Sequence, residues 1–165
     1  MIPTGSQTVG PFFNFGLTTN ALLGVMSGEG ERIRIRFRVV DGEGVPTSGD
    51  SMIELWQAGA DGVYHDGFGR LETQADGTCV FETVKPGRVD GQAPHITVLI
   101  FARGLLKQLH TRLYFADDPA NGEDPVLALV PEARRSTLEA RQVEPGLWHM
   151  DIQLQGPDET VFFEV

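Results

Sequence analysis

The chain has 165 residues, of which 41% are hydrophobic and 22% charged, so it is long enough to form one globular domain with a sizeable core. Its net charge of −10, from 13 basic and 23 acidic residues, argues against a nucleic acid or an anionic membrane as a partner. The single cysteine predicts a protein without internal disulfides, in a reducing compartment such as the cytoplasm. The start of the sequence has no basic segment followed by an apolar one, so no signal peptide is predicted. The longest apolar run, ITVLIFA, is too short to predict a membrane span.

An irregular arm precedes the first predicted strand. Residues 1–30 show no sustained period, so we expect them to lie over the domain or over a partner chain. Residues 31–165 are predicted to form one β-sandwich domain. Its first strand is RIRIRFRV, Arg32–Val39, in which apolar side chains alternate with four arginines. In so acidic a protein these arginines either pair with neighbouring acids or contact another chain.

The predicted strands that follow are short and separated by turn residues. They are SMIELWQA, DGTCVFETV, HITVLIFA, LHTRLYF and a hairpin made of TLEARQ and LWHMDIQLQ. HITVLIFA, His95–Ala102, is apolar on both faces and is therefore predicted to lie in the middle of a covered sheet. PEARRSTLEA, Pro131–Ala140, offers a short helix. The pattern predicts an all-β fold, an antiparallel β-sandwich or barrel with little helix.

The common short motifs of catalytic, metal-binding and phosphate-binding sites are missing from the sequence. The chain contains no CxxC, HExxH, GxSxG or P-loop pattern. Its four histidines, His65, His95, His110 and His149, share no spacing that would force a common metal, so each is read singly as structural or exposed. Cys79 falls in an apolar strand, where it is expected to be inert core.

Two side chains have both a structural and a functional interpretation. Tyr64, in GVYHD, is either a tyrosine at the edge of the sandwich with its hydroxyl in water or a phenolate ligand for a hard trivalent metal. Arg103, in FARG, is either paired with an acid at the strand end or placed to bind a carboxylate in a cleft. On the residues alone, pairing with an acid is the favoured interpretation of Arg103, and the question of Tyr64 stays open.

Eight stretches carry a resemblance to known proteins: SQTVGPFF, MIELWQAGADGVY, TVKPG, APHI, IFARG, LHTRLYF, DPVLALV and LQGPDETVFFEV. Together they resemble one family, the intradiol ring-cleavage dioxygenases, and within it the noncatalytic alpha type. Catalytic chains of that family bind Fe(III) with two tyrosines and two histidines. Tyr64 and His95 match the first of each, whereas Val89 and Thr97 stand at the second tyrosine and second histidine. The resemblance therefore implies that these positions are vestigial and that this chain alone holds no metal and no catalytic residue.

The resemblance also implies a partner and a reaction. A beta subunit would carry the Fe(III) and cleave a small aromatic acid, 3,4-dihydroxybenzoate, with O2 to 3-carboxy-cis,cis-muconate in a hetero-oligomer. This chain would line the substrate pocket with Thr8, Gly10 and Pro11 and bind the substrate carboxylate with Arg103. One departure is that HDGFGR, between Tyr64 and Leu71, is shorter than in the alpha chains that it resembles.

Two other hypotheses stay open at this point. The chain is a homomeric dioxygenase with a degenerate site that recruits metal through Tyr64, His95 and His65, or a non-enzymatic β-sandwich that serves as a binding or scaffold protein. Metal content separates the first from the alpha-type interpretation. Binding of aromatic acids near Arg103 without any partner would favour the second.

Overall fold

The computed structural model describes residues 5, 7–10, 12–47 and 49–164. Within these residues the strands are β1 (Arg32–Val40), β2 (Ser51–Gln57), β3 (Phe68–Glu72), β4 (Thr78–Val84), β5 (His95–Ala102), β6 (Leu109–Phe115), β7 (Glu139–Glu144) and β8 (Leu147–Gln153). The α-helices are α1 (Phe13–Leu17) and α2 (Glu132–Arg135). Short 3-10 turns span Ala21–Gly24, Gly42–Gly44, Pro119–Glu123, Leu127–Leu129 and Ser136–Leu138.

The strands form one sheet in the order β3-β2-β5-β6-β7-β8-β1-β4. Pairing is parallel between β1 and β8 and between β6 and β7, and antiparallel elsewhere. Because β7 bonds to β6 on one side and to β8 on the other, it joins a layer of β3, β2, β5 and β6 to a layer of β8, β1 and β4. The all-β prediction is confirmed, as a sandwich close to a closed barrel.

The core lies between these two layers and is built by alternation along each strand. It contains the inward residues Ile33, Ile35, Phe37, Ile53, Leu55, Phe81, Ile96, Val98, Ile100, Leu113, Phe115, Trp148, Met150 and Ile152. Phe37 and Phe81 meet edge to face, with ring centroids 6.0 Å apart. Because side chains of a strand alternate between faces, His95, Thr97 and Leu99 of β5 lie on the outer face.

A smaller apolar cluster covers the outer side of the sheet near the start of β5. It contains Ala93, Tyr114, Ala120, Leu127, Val130 and Leu138. Ala93 precedes β5 and Tyr114 is near the end of β6, whereas the other four residues come from the segment between β6 and β7, so this segment folds back over the sheet. This cluster, rather than the main core, surrounds the start of β5.

The prediction and the structure differ at three elements. Strand β3 was not predicted, because FGRLE contains no regular alternation; pairing with β2 holds it in place. The predicted helix over Pro131–Ala140 was too long, since α2 ends at Arg135 and a 3-10 turn then leads into β7. The first strand extends one residue further than predicted, to Val40.

The N-terminal arm makes some contacts with the sandwich. Met26 is buried in the main core, and Val25 forms an isolated bridge with Glu82. The placement of the domain boundary at residue 30 stays a prediction. No helix in the described part of the chain is both long and apolar enough to cross a membrane.

Candidate functional site

A close backbone contact precedes β5 and joins two of the predicted site segments. The amide of Gly87 donates to the carbonyl of Gly59 at 2.9 Å. A Cβ at residue 87 would lie 2.4 Å from the carbonyl oxygen of Ala60, so only glycine fits there. The KPG bend therefore holds the segment that carries Val89 against the loop that carries Tyr64.

His95 begins β5 and is buried, with 6% of its surface exposed. Its Nδ1 lies 2.8 Å from the carbonyl oxygen of Ala93, so Nδ1–H donates and the lone pair stays on Nε2. Burial lowers the pKa of His95 below its ordinary value, and the hydrogen bond to Ala93 acts in the opposite direction. A neutral imidazole with a free Nε2 lone pair is a competent metal ligand.

The other three predicted metal positions contribute less. Val89 is nearly buried, in a turn in which the amide of Gln92 donates to its carbonyl at 2.8 Å, and its side chain has no donor atom. Thr97 lies directly across from Arg112 in the β5–β6 pair. Tyr64 is 59% exposed and takes part in none of the hydrogen bonds or ring contacts found among the described residues.

A polar network that the sequence did not predict occupies this end of the sheet. Nη1 of Arg112 donates to Oε1 of Gln92 at 2.6 Å and to the hydroxyl of Tyr114 at 3.3 Å. That hydroxyl donates to Oδ1 of the buried Asp124 at 3.2 Å. Oδ2 of Asp124 accepts from the amide of Ala93 at 2.8 Å. The network thus connects Arg112 to the backbone that also fixes His95.

The network has a recognisable electrostatic consequence. Burial raises the pKa of Tyr114 to about 12, so its hydroxyl stays protonated and donates to Asp124. Its ring lies 5.9 Å from that of His95, centroid to centroid. The only sequence signal for this arrangement was the alternation of LHTRLYF, which puts Arg112 and Tyr114 on one face; nothing in the sequence pointed to Asp124.

These residues do not fit a ferric ion. The described part of the chain contains no group of three or more His, Cys, Asp or Glu side chains that could hold a metal ion. Iron in its ferric state favours anionic oxygen ligands. The position offers one imidazole at His95, and the Arg112 guanidinium beside it repels a cation. His65, the further ligand of the homomeric hypothesis, is exposed with its Nε2 3.0 Å from Oδ2 of Asp61.

Arg103 lies just beyond the opposite end of β5. Its side chain is 66% exposed, and its Nη1 is 3.4 Å from Oδ2 of Asp50. The hydroxyl of Thr8 donates to the carbonyl of Ala102 at 3.3 Å and accepts from the amide of Gly104 at 2.8 Å. The structure thus brings Thr8 of the arm against the two peptide groups that flank Arg103.

Gly10 and Pro11 are the other two residues of the arm that are predicted to line the pocket. Gly10 is exposed, and a Cβ added to it would meet no atom within 4 Å. Its carbonyl accepts from the amide of Phe13 at 3.1 Å, at the start of α1. Pro11 lies outside the described residues. Arg103 itself lines an open cavity of about 500 Å³ together with Asp50.

The two groups of predicted residues are far apart within the chain. Eight residue steps separate His95 from Arg103, which at ~3.3 Å per residue in a strand is roughly 25 Å. No single aromatic acid spans that distance. Thr8 and Arg103 therefore form one candidate site, an exposed one, and the degenerate position around His95 is a separate feature.

Comparisons with known proteins identify relatives of the chain. No family model matches the chain. The protocatechuate 3,4-dioxygenase alpha chain of Burkholderia cepacia is 40% identical over 192 residues, covering 98% of this chain and 97% of the relative. The beta chain of the same organism is 36% identical over 186 residues, covering 94% of this chain and 77% of the relative. A solved dioxygenase domain, from a carbohydrate-binding fusion protein of Streptomyces sp. SirexAA-E, is 28% identical with a TM-score of 0.68, covering 97% and 100%.

The aligned length also bears on the shortened loop. The alignment with the alpha chain spans 192 positions and this chain has 165 residues, so the relative carries at least 27 residues, 192 less 165, without a counterpart here. This chain is therefore shorter than that relative within the aligned region. That part of the difference falls between Tyr64 and Leu71 stays a prediction.

Proposed function

This chain belongs to the protocatechuate 3,4-dioxygenase family, and from that we propose that it is the alpha subunit of such an enzyme. In this role it holds no iron and completes the substrate pocket of a beta subunit. The beta subunit carries Fe(III) and cleaves 3,4-dihydroxybenzoate with O2 to 3-carboxy-cis,cis-muconate. The named relatives include separate alpha and beta chains, which supports a hetero-oligomer.

The observation that carries this proposal is the separation of Arg103 from the chain's own degenerate metal position. A carboxylate-binding arginine that served a metal in the same chain would lie within the length of one substrate. Here the arginine lies roughly 25 Å away, at the far end of β5. It is exposed, so its guanidinium is accessible to a site on another subunit.

Arg103 supplies the positive charge of the proposed pocket. Its planar guanidinium presents two parallel N–H donors that match a carboxylate. Without such a partner, the benzoate group would lose its hydration at a large cost on entering a closed pocket. Asp50 holds the free Arg103 only weakly, at 3.4 Å on the surface, so a substrate carboxylate can replace it.

Thr8 positions the arm beside that arginine. Its hydroxyl is bonded to both the carbonyl of Ala102 and the amide of Gly104, which fixes the arm relative to the Arg103 backbone. Gly10 then leaves space for the ring to approach the backbone closely, and Pro11 limits the conformations of the arm. The chain's contribution is therefore orientation and electrostatics, in which a displacement of one ångström costs about a hundredfold in rate.

The state of the cysteine supports a proposal for the compartment. Cys79 is buried without a disulfide partner, and burial raises the pKa of its thiol, which makes it unreactive. A chain of this composition suits a reducing compartment. We propose the cytoplasm as its location.

The test compares the chain alone with the chain co-expressed with its beta subunit. Purified alone from iron-replete cells, it should be colourless, iron-free by metal analysis, and inactive in oxygen uptake with 3,4-dihydroxybenzoate. Co-purified with the beta subunit, the complex should contain about one iron for each alpha–beta pair and show the visible absorption of tyrosinate–Fe(III). A coloured chain with stoichiometric iron, or oxygen uptake by the chain alone, would overturn the proposal in favour of a homomeric enzyme.

A further inference from the structure

Asp50 and Arg103 are neighbours at the end of the β2–β5 pair, where β2 begins and β5 ends. The amide of Arg103 donates to the carbonyl of Asp50 at 3.0 Å, one residue beyond the register pair of Ser51 and Ala102. The antiparallel ladder therefore continues through both residues, and side chains that lie directly opposite in such a ladder are close together. Nη1 of Arg103 lies 3.4 Å from Oδ2 of Asp50. The backbone thus places a carboxylate beside the proposed substrate-binding guanidinium.

The backbone of Asp50 is also held by contacts that do not involve Arg103. Its amide donates to the carbonyl of Thr47 at 3.0 Å. The hydroxyl of Thr47 lies 2.7 Å from that of Ser51, which in turn lies 2.8 Å from that of the buried Thr73. Because this network anchors the chain on both sides of Asp50, the Asp50 carboxylate stays near the guanidinium when Arg103 binds another anion.

The contact between the two side chains is weak and leaves part of the guanidinium free. A guanidinium has five N–H donors. Within the described part of the chain, the 3.4 Å contact with Asp50 is the one ion pair that Arg103 forms, and the two side chains are 66% and 49% exposed. A benzoate carboxylate can therefore approach Arg103, but it then lies close to a second negative charge.

The cavity at Arg103 contains more negative than positive charge. Among the described residues that line it, the charged ones are Arg103, Asp41 and Asp50, so one positive and two negative groups give −1. Asp41 is engaged elsewhere, because its Oδ1 accepts from the amide of Gly42 at 2.8 Å and from Nε2 of Gln155 at 2.7 Å. Asp50 is therefore the acid of this lining that competes with an incoming carboxylate.

We propose that Asp50 is a specificity-determining residue, whose carboxylate competes with the carboxylate of the substrate for Arg103. This inference rests on the proposed function, in which Arg103 binds that carboxylate. Each substrate molecule must displace the Asp50 side chain and then bind beside a retained negative charge. Both effects lower the affinity for aromatic acids and do not act on a catechol without a carboxylate. Asp50 thereby sets how strongly the enzyme prefers the acid.

A different role, in which Asp50 orients Arg103 for the substrate, fits the structure less well. A carboxylate that orients a guanidinium forms short hydrogen bonds with it, of about 2.7–2.9 Å. The observed distance is 3.4 Å. Other groups also fix the Arg103 backbone, since the hydroxyl of Thr8 bonds to the carbonyl of Ala102 and the amide of Gly104. The two roles predict opposite changes in KM when the charge of Asp50 is removed.

The test is oxygen uptake by the chain co-purified with its beta subunit, with 3,4-dihydroxybenzoate and with catechol as substrates. Asp50→Asn removes the charge and keeps the size of the side chain. It should lower KM for the acid about two- to fivefold, the range expected for an exposed ion pair, and the change should fall on KM rather than on kcat. The decrease should shrink at about 1 M NaCl, where the Debye length is about 3 Å. Asp50→Glu retains the charge, so its KM should stay near the parent value.

Glu123→Gln is the matched control for the loss of one negative charge. Glu123 is also an exposed acid, lies 3.5 Å from Nη2 of Arg88 and does not line the cavity at Arg103. Its replacement should leave KM for both substrates near the parent values. When Arg103 is already alanine, Asp50→Asn should lose most of its effect, because the competition needs the arginine.

The outcomes separate this inference from the proposed function. In one case Arg103→Ala impairs turnover of the acid alone, but Asp50→Asn raises KM for the acid, leaves it unchanged or lowers KM for catechol equally. That result overturns the inference and leaves the proposed function standing. In the other case Arg103→Ala affects both substrates equally or neither, which overturns the substrate role of Arg103 and the inference with it. Iron content and Tm of each variant show that the complex is intact.

Discussion

Replacing Arg103 with alanine tests the proposed substrate contact with little risk to the fold. The side chain is 66% exposed, and its ion pair with Asp50, itself 49% exposed, spans 3.4 Å. Exposed pairs of this kind contribute about 0–1 kcal/mol to stability. A hydrogen bond from arginine to a substrate carboxylate contributes about 1.5–3 kcal/mol. At about 1.4 kcal/mol per tenfold, Arg103→Ala should lower kcat/KM about 10- to 150-fold.

The assay is oxygen uptake by the chain co-purified with its beta subunit, with 3,4-dihydroxybenzoate and with catechol, which lacks the carboxylate. The loss should be confined to the carboxylated substrate and should come mainly from a higher KM, with iron content and Tm unchanged. Arg88→Ala is the matched control, because Arg88 is also exposed and lies 3.5 Å from a carboxylate oxygen of Glu123. Equal losses with both substrates, or an unchanged KM for the acid, would refute the reasoning.

Three further changes test the packing and the pH response. Phe81→Ala, at a core residue with no exposed surface, should lower the free energy of unfolding in urea by about 3–5 kcal/mol, whereas Val80→Ala on the outer face should cost far less. Gly87→Ala, which places a Cβ 2.4 Å from a carbonyl oxygen, should cost about 1–3 kcal/mol, and Gly122→Ala, with open space around it, should not. The native pKa of His95 is lowered, so the unfolded state binds more protons below pH 6.5. Stability should therefore fall as the pH drops through 6.5 towards the native pKa, and His95→Gln should flatten that part of the curve.

The alternation of apolar and polar residues predicted the strands that form the core. It did not predict β3, which is held by pairing with its neighbour. The boundaries of β5 and β6 agree with the predicted ones, because both are regular runs between turn residues. In β3 the stabilising contacts come from β2. Phe68 packs on Trp56 with ring centroids 4.7 Å apart, and Nε of Arg70 donates to Oε1 of Glu54 at 2.8 Å. Such cross-strand contacts are invisible in a window of five residues.

The predicted site residues depended on motif resemblance more than on physical pattern. Position alone would have left Arg103 as an arginine paired at a strand end, which is also what the free chain shows with Asp50. The link between Thr8 and the Arg103 backbone joins residues 94 and 96 positions apart, so it needed the folded chain. The partner of Tyr114, Asp124, directly follows the 3-10 turn Pro119–Glu123, in a segment without a regular period.

The contacts around His95 indicate that the two ends of β5 have different roles. At one end lie Val89 and Thr97, the two positions that the resemblance assigns to lost ligands, and the Arg112 guanidinium bonds to Gln92 and Tyr114. The Arg112 guanidinium beside His95 repels a metal cation from solution. The network therefore stabilises the start of the strand instead of holding a metal. At the other end the strand terminates in an exposed arginine beside an anchored arm. Strand β5 thus connects a structural network to the surface proposed to complete a partner's pocket, and its apolar residues in the core hold the two ends at a fixed distance.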